Sequence, residues 1–246
     1  MNKNVSWLAL IFLLSQYGFS QTILSEPFKV VNSKYDEQSP VIGVDALYFT
    51  VANHPDNVGG KKDPGDIWVS VYVDGNWSKP IHGGNVINDA SYNAVAGFSF
   101  DGKQMYLLGH YGKKGSSPES QGISVSKLED YGWSAPENIS IPYFLNRSTS
   151  LTGMVNAEGT IFVYAADGYN NTKEGTEDIY ITLKKDGKWG EPINLGATIN
   201  TPFQELSPTL SEDGKTLFFS SNGRNGHGGF DIFSSTRLDD TYQLWS

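Results

Sequence analysis

The chain has 246 residues and no cysteine, so disulfides and thiolate chemistry are excluded and an apolar core must stabilise it. Its formal net charge is −9 at pH 7. Nucleic acid is bound through stripes of Lys and Arg, which this acidic sequence lacks, so we expect no nucleic-acid partner.

The first twenty residues have the layout of a secretory signal peptide. Lys3 precedes an apolar run, Val5–Leu14, and small residues stand at Gly18 and Ser20 before Gln21. The apolar run is too short for a membrane span, and no similar run follows it. The sequence therefore predicts a signal peptide at residues 1–20 and an exported chain, residues 21–246, that does not span a membrane.

Predicted strands recur along the rest of the chain at a fixed interval. The second strand of each repeat is an apolar run, and the third strand begins with an isoleucine. The second strands contain Leu47–Phe49, Met105–Leu107, Ile161–Val163 and Leu217–Phe219, and the third strands begin at Ile67, Ile123, Ile179 and Ile232. Alternation of β-branched and aromatic residues is typical of strands, and no helical stretch separates them.

A tryptophan marks the end of each repeat. Trp77, Trp133, Trp189 and Trp245 are each 56 residues apart. Three identical intervals in succession indicate a structural repeat, and a tight turn such as Asp74-Gly75 precedes the tryptophan. We expect each tryptophan to pack between neighbouring repeats.

Four strands joined by hairpins in every repeat predict an all-β fold, a β-propeller of four-stranded antiparallel blades. The repeats, centred on the four tryptophans, fill residues 21–246. Leu24–Pro27 resembles the segment after each tryptophan, and Asn32–Pro40 matches Asn200–Pro208. Two interpretations stay open: the N-terminal strand closes a four-bladed ring, or the chain is the front part of a longer protein. The outer strand of the last repeat stops at Trp245-Ser246, which favours the second interpretation. We therefore expect the chain to contain four repeats of a larger propeller.

The fourth repeat carries a family resemblance. Glu205–Asn222, followed by Gly228–Phe233, resembles the TolB-type, WD40-like propeller repeat, whereas Ala96 and Gly153 stand where that family has proline. The four repeats together are similar to the propeller region of OmpA-family envelope proteins of Bacteroidetes-type bacteria. This resemblance implies a periplasmic or outer-membrane-associated protein whose partner is an envelope protein or a cell-wall glycan.

The long loops of all repeats should share one face of the propeller, where binding residues concentrate. Four of these loops connect the second and third strands, at 53–65, 109–122, 166–177 and 222–229. The expected binding residues on this face are polar or aromatic: His54, Lys61, Lys62, Tyr111, Lys113, Tyr169, Asn170, Asn222, Arg224 and His227.

Neither a metal nor a cofactor is expected on this face. His54, His110 and His227 lack carboxylates at a repeat-equivalent spacing, which a shared metal site would need. The aspartates that precede three of the third strands, Asp66, Asp178 and Asp231, are interpreted as caps of the loop backbone. Calcium ligation is the alternative for them.

These features favour an exported, non-catalytic binding or scaffold module of the bacterial envelope, and no catalytic residue is assigned. No Gly-x-Ser-x-Gly motif is present, so the sequence favours a protein that is not an enzyme. Two alternatives stay open. One is a glycan-active propeller enzyme, a glycoside hydrolase or sialidase-like protein with carboxylates in the channel. The other is a subunit of a secretion or motility assembly.

Overall fold

The structure is a computed structural model that describes residues 28–112, 120–149 and 151–246. The predicted signal peptide, Leu24–Pro27 and Lys113 lie outside the described residues. Within the described ranges the only helical element is a 3-10 turn, Gly60–Lys62. No helix in those ranges has the length and apolar character needed to cross a membrane.

Four antiparallel sheets are arranged in a ring as the blades of a four-bladed β-propeller, which confirms the predicted fold class. Blade 1 contains β1 (Asp36–Gly43), β2 (Ala46–Ala52), β3 (Asp66–Val73), β4 (Asn76–Trp77) and β5 (Ile81–His82). Blade 2 contains β6 (Ala94–Phe98), β7 (Gln104–Leu108), β8 (Ile123–Glu129), β9 (Gly132–Trp133) and β10 (Glu137–Ile139). Blade 3 contains β11 (Thr152–Val155), β12 (Ile161–Ala166), β13 (Asp178–Lys185), β14 (Lys188–Trp189) and β15 (Ile193–Asn194). Blade 4 contains β16 (Glu205–Leu210), β17 (Thr216–Ser221) and β18 (Asp231–Thr236).

The predicted turns connect consecutive strands. Asp74 and Gly75, between β3 and β4, have φ of 50° and 82°, and Asp186 and Gly187 repeat this pair with 49° and 76°. Positive φ at both central residues is the geometry of a two-residue hairpin that follows the strand twist. Aspartate tolerates a positive φ and glycine adopts it without strain. The Asp-Gly pairs in the sequence were therefore sufficient to place these turns.

The outer strand of each blade differs from the prediction. A single fourth strand was expected, but β4 and β5 pair separately with β3, and Pro80 lies between them. Proline lacks an N–H and interrupts a ladder, and Pro136 and Pro192 interrupt the equivalent strands of blades 2 and 3. In blade 4 the outer strand is reduced to one bridge between Arg237 and Trp245.

Apolar clusters seal the joints between successive blades. Trp133 packs in the cluster between blades 1 and 2, which includes the fully buried Ile67 and Met105. Trp189 occupies the cluster between blades 2 and 3, and Trp245 the cluster between blades 3 and 4. These contacts confirm the predicted packing for three of the four tryptophans, whereas Trp77 lies in the apolar cluster of blade 1, with its ring 6.1 Å from that of Phe28.

An asparagine reinforces two of these joints. The Asn88 carboxamide accepts a hydrogen bond from Ile67 N at 2.7 Å and donates to Ile67 O at 3.1 Å. Asn200 makes the same pair of bonds to Ile179, at 2.7 and 3.0 Å. Each buried side chain thus connects the segment that leads into one blade to the third strand of the blade before it.

Candidate functional site

Several of the predicted binding residues are used in packing. The ring of His54 lies 4.3 Å from the Trp68 ring and 4.5 Å from that of Tyr35, between centroids. Tyr111 donates its hydroxyl to Ile87 O at 2.7 Å, and burial raises its pKa. Arg224 donates to Thr198 O and Ile199 O, which fastens the β17–β18 loop to blade 4's entry segment.

Others lie on the β2–β3 loop of blade 1 and the β17–β18 loop of blade 4. Lys61 and Lys62 are exposed in the 3-10 turn of blade 1. Asn222 accepts a hydrogen bond from Gln204 N at 2.9 Å, and His227 is exposed and donates its backbone N–H to Asp231. A binding role for these residues stays a prediction.

The aspartates before the third strands cap the loops, as predicted. Asp66 accepts a hydrogen bond from Val58 N at 2.7 Å, and Asp178 accepts one from Thr172 N at 2.7 Å. Asp231 accepts from the N–H groups of His227 and Gly228. Each carboxylate fixes the loop that ends at its own strand.

Tyr169 and Asn170, two of the predicted residues, line a cavity. This cavity, of about 320 Å³, lies on blade 3 beside the segment that enters it. Its wall is rich in tyrosine, with one carboxylate at the rim: Tyr143, Leu145, Tyr164, Gly168, Tyr169, Asn170, Tyr180, Glu191 and Pro192. Tyr143 and Tyr169 are 72% and 70% exposed, so their rings are free to meet a ligand.

Two carboxylates lie at the end of the same hairpin. Ala166 of β12 pairs with Asp178 of β13, and Asp167 and Glu177 are the next residues beyond that pair. Beyond the strands the two backbones bond different segments: Asp167 O accepts from Arg147 N at 2.9 Å, and Glu177 O accepts from Glu205 N at 3.0 Å. Asp167 and Glu177 are 8% and 7% exposed.

The segment before blade 3 holds both carboxylates. Arg147 donates to Asp167 at 2.7 Å and to Gly168 O at 2.9 Å. Asp167 raises the pKa of the Arg147 guanidinium through this hydrogen bond. Ser148 donates to Glu177 at 2.5 Å, and Gln204 of the segment entering blade 4 donates to its other oxygen at 2.7 Å.

Hydrogen bonds connect the cavity to Asp167. Tyr180, which lines the cavity, donates its hydroxyl to Asn171 Oδ1 at 2.6 Å, and Asn171 Nδ2 donates to Asp167 at 3.0 Å. Gly168 and Tyr169 directly follow Asp167 in the chain. The tyrosine cavity and the two carboxylates therefore share the loop between β12 and β13.

A second cavity lies between blades 2 and 3. It has about 240 Å³ and is lined by Tyr92, His110, Ser120, Phe144 and Leu151 among others, with no carboxylate in its described lining. Both ring nitrogens of the buried His110 are occupied, by Ser120 Oγ at 2.8 Å and Ile139 O at 2.9 Å. In this cavity the ring of the lining histidine is therefore used in hydrogen bonds within the protein.

Sequence reasoning missed the residues that make the blade 3 site acidic. Asp167 and Glu177 stand near the two ends of the predicted 166–177 loop. A carboxylate near each end of one loop was the feature of the sequence that could have indicated the site. Tyr143 and Arg147 come from another loop, and only the packing of that loop against blade 3 brings them to the site. Among the described residues, no group of three or more His, Asp or Glu side chains has the arrangement of a metal site.

No protein-family model matches the chain, and no curated protein matches it either. The resemblance to TolB-type repeats and to OmpA-family proteins is thus not confirmed. Solved structures do resemble it. A putative 6-phosphogluconolactonase from Bacteroides uniformis is 14% identical, with a TM-score of 0.47, over 86% of this chain and 53% of that one.

Two arabinanases resemble the chain to a similar degree. An α-L-arabinanase of Cellvibrio cellulosa, complexed with arabinohexaose, is 12% identical with a TM-score of 0.45, over 92% of this chain and 81% of that one. An endo-arabinase from Bacteroides thetaiotaomicron is 14% identical with a TM-score of 0.44, over 84% and 76%. The chain spans about half the length of the lactonase.

These comparisons correct one prediction. The sequence favoured a protein that is not an enzyme, whereas the solved structures that the chain resembles are enzymes. The non-catalytic assignment is therefore withdrawn. At 12% and 14% identity the likeness concerns the fold alone, so the choice of chemistry depends on the geometry of blade 3.

Proposed function

We propose that this chain is a glycan-active enzyme that cleaves a glycosidic bond at the carboxylate pair of blade 3. One observation carries the proposal: a tyrosine-lined cavity of about 320 Å³ shares a loop with two nearly buried carboxylates, Asp167 and Glu177. A concave site with a few polar groups and an acidic pair suits a neutral, hydroxyl-rich substrate.

The tyrosines account for recognition. A tyrosine presents a large apolar ring face together with a hydroxyl at its edge. A saccharide likewise has an apolar face of C–H groups and a rim of hydroxyls. Tyr143 and Tyr169 stand exposed at the cavity and can stack on such a ring, while Asn170 and Glu191 lie within its lining to bond hydroxyls.

The carboxylates account for the reaction. Arg147 lies 2.7 Å from Asp167 and fixes its position, and a carboxylate suits the role of a base or a nucleophile. Glu177, when protonated, donates its proton to the glycosidic oxygen as the bond from that oxygen to the anomeric carbon breaks. Asp167 then either bonds the anomeric carbon directly or accepts a proton from the water that attacks it.

Hydrolysis assays on the purified chain test this proposal. Arabinan, cell-wall glycans and other neutral polysaccharides are incubated with the protein, and new reducing ends are counted. We expect cleavage of at least one polymer, with Asp167→Asn and Glu177→Gln each reducing the rate by about 100-fold or more. Glu212→Gln, on an exposed turn of blade 4, is the matched control and should retain full activity.

The cavity is tested separately with Tyr169→Ala. Removing an exposed ring should weaken substrate binding, so KM rises while the folded structure is kept. Tyr131→Ala is the control, because Tyr131 is fully exposed in a hairpin turn outside the cavity. Equal kinetics for the two tyrosine variants, or full activity of Asp167→Asn, would remove the proposal.

We also propose that this activity is exerted after export, on cell-wall or extracellular glycan in the bacterial envelope. The signal-like residues 1–20 support this location, and a neutral glycan suits the site better than a protein partner does. Fractionation of the producing cells tests it, with the expectation that the chain is recovered outside the cytoplasm. Recovery from the cytoplasm alone would contradict it.

A further inference from the structure

Four tyrosine rings line the cavity on blade 3: Tyr143, Tyr164, Tyr169 and Tyr180. Tyr164 and Tyr180 oppose one another across β12 and β13, with ring centroids 5.8 Å apart and 19° between the ring planes. These two are 1% and 4% exposed, whereas Tyr143 and Tyr169 stand exposed at the cavity. The cavity therefore combines two fixed, buried rings with two rings that a ligand can reach.

The charge in the wall of this cavity is negative. Glu191 is exposed and is the one carboxylate in the described lining, which contains no lysine, arginine or histidine. It lies two residues after Trp189, in the interrupted outer strand of blade 3. Lys79 and Ala135 stand two residues after the tryptophans of blades 1 and 2. The carboxylate is therefore a feature of blade 3 that the packing of the repeat does not require.

The loop beside the cavity adds to this negative charge. Between β12 and β13 it carries three carboxylates and one lysine: Asp167, Lys173, Glu174 and Glu177. Arg147 lies 2.7 Å from Asp167 and 3.8 Å from Glu174. Together with Glu191, the cavity and its loop hold four carboxylates and two cations, a formal charge of −2.

Aromatic rings around a cavity attract cations. The face of a tyrosine ring carries the negative part of its quadrupole, so an ammonium group within about 6 Å of the ring centroid is stabilised. Several such rings around one cavity form the aromatic cages that recognise ammonium groups. A carboxylate in the wall, with no cation there to neutralise it, strengthens this preference. A hydroxyl group at the same place would gain less, because it has no net charge.

We propose that the tyrosine cavity binds the protonated amino group of a sugar, so that the preferred glycan contains a hexosamine with a free amine. The proposal rests on the proposed function in taking a glycan as the carrier of this group, and it adds one charge to otherwise neutral sugars. The sugar ring then lies against the faces of Tyr143 and Tyr169. Its ammonium group lies within the cavity and pairs with Glu191.

NMR titration of the purified full chain with D-glucosamine and D-glucose tests the proposal. The two sugars differ only at C2, where an ammonium group replaces a hydroxyl when the buffer keeps the amine protonated. We expect glucosamine to bind about 10-fold more tightly, and added salt to reduce this preference because it screens the charge of Glu191. Equal affinity for the two sugars, or binding of neither, would overturn the proposal.

Two pairs of variants assign the preference to the cavity. Glu191→Gln should reduce the affinity for glucosamine several-fold and leave that for glucose unchanged, whereas Glu212→Gln, on an exposed turn of blade 4, should alter neither. Tyr143→Phe keeps an aromatic face and should keep the preference, while Tyr143→Leu should weaken it. A preference for glucosamine that survives Glu191→Gln unchanged would overturn the proposal.

The ratio of the two affinities is measured without any cleavage, which separates this proposal from the proposed reaction. A chain that prefers glucosamine through Glu191 but hydrolyses no glycan would support the ammonium site and remove the glycosidase. A chain that hydrolyses a neutral glycan and binds glucosamine and glucose equally would keep the glycosidase and remove the ammonium site.

Discussion

His82 stands where blades 2 and 3 have Asn138 and Asn194, at the same 56-residue spacing. Its Nε2 lies 2.7 Å from Asp66 Oδ2, and its Nδ1 accepts a hydrogen bond from Gly84 N. Asn194 makes the same two bonds, to Asp178 at 2.9 Å and from Gly196 N at 2.8 Å. An asparagine at position 82 can therefore replace both bonds of the histidine.

His82→Asn should accordingly change the free energy of unfolding at pH 7 by less than about 1 kcal/mol. His82→Ala removes the donor from a fully buried carboxylate and should cost about 1–3 kcal/mol. Urea denaturation of the two variants measures this difference. If His82→Asn and His82→Ala lowered the free energy of unfolding equally, the hydrogen bond to Asp66 would contribute nothing to stability.

Asp66 gives the fold a pH dependence of known sign. Burial raises its pKa above 3.8, and its Oδ1 has no hydrogen-bond partner in the described part of the chain. A carboxyl whose pKa is raised on folding contributes stability below its unfolded pKa and loses it as pH rises through the folded value. Asp66→Asn should therefore destabilise the protein more at about pH 4 than at pH 7, by urea denaturation. A larger cost at pH 7 would contradict this.

At the scale of the elements, the asparagine clamps should contribute strongly to the joints. Asn200→Ala leaves the buried N–H of Ile179 without its partner, at a cost of about 1–3 kcal/mol, whereas the C=O of Ile179 keeps its bond from Leu195 N. Asn76→Ala, on an exposed hairpin, should change stability by less than about 0.5 kcal/mol. Thermal unfolding of both variants checks the prediction, and similar melting temperatures would refute it.

The blade repeat could be predicted because its signals are local. Tryptophan spacing, Asp-Gly turns and alternating strands each depend on a few adjacent residues, and they placed the inner three strands and the turns of the blades. The split of the outer strand was missed, although Pro80, Pro136 and Pro192 were visible in the sequence. Whether a proline interrupts a strand or ends it depends on pairing with the third strand, which the sequence does not specify.

At the scale of the whole molecule, the candidate site could be predicted only in part. Tyr169 and Asn170 were expected on the loop-rich face and do line a cavity. Their neighbours Tyr143, Arg147 and Gln204 come from loops more than twenty residues away in sequence, and ring assembly brings them together. Identical blades would place identical residues at every joint, so a site on blade 3 alone depends on how the copies have diverged.

A crystal structure of Asp167→Asn with a bound oligosaccharide tests the central claim most directly. The oligosaccharide is one that the wild-type chain cleaves or binds. The account predicts a sugar ring stacked on Tyr169, with a glycosidic oxygen within hydrogen-bond distance of Glu177. A sugar bound instead in the cavity of Tyr92 and His110 between blades 2 and 3, or away from both carboxylates, would contradict it.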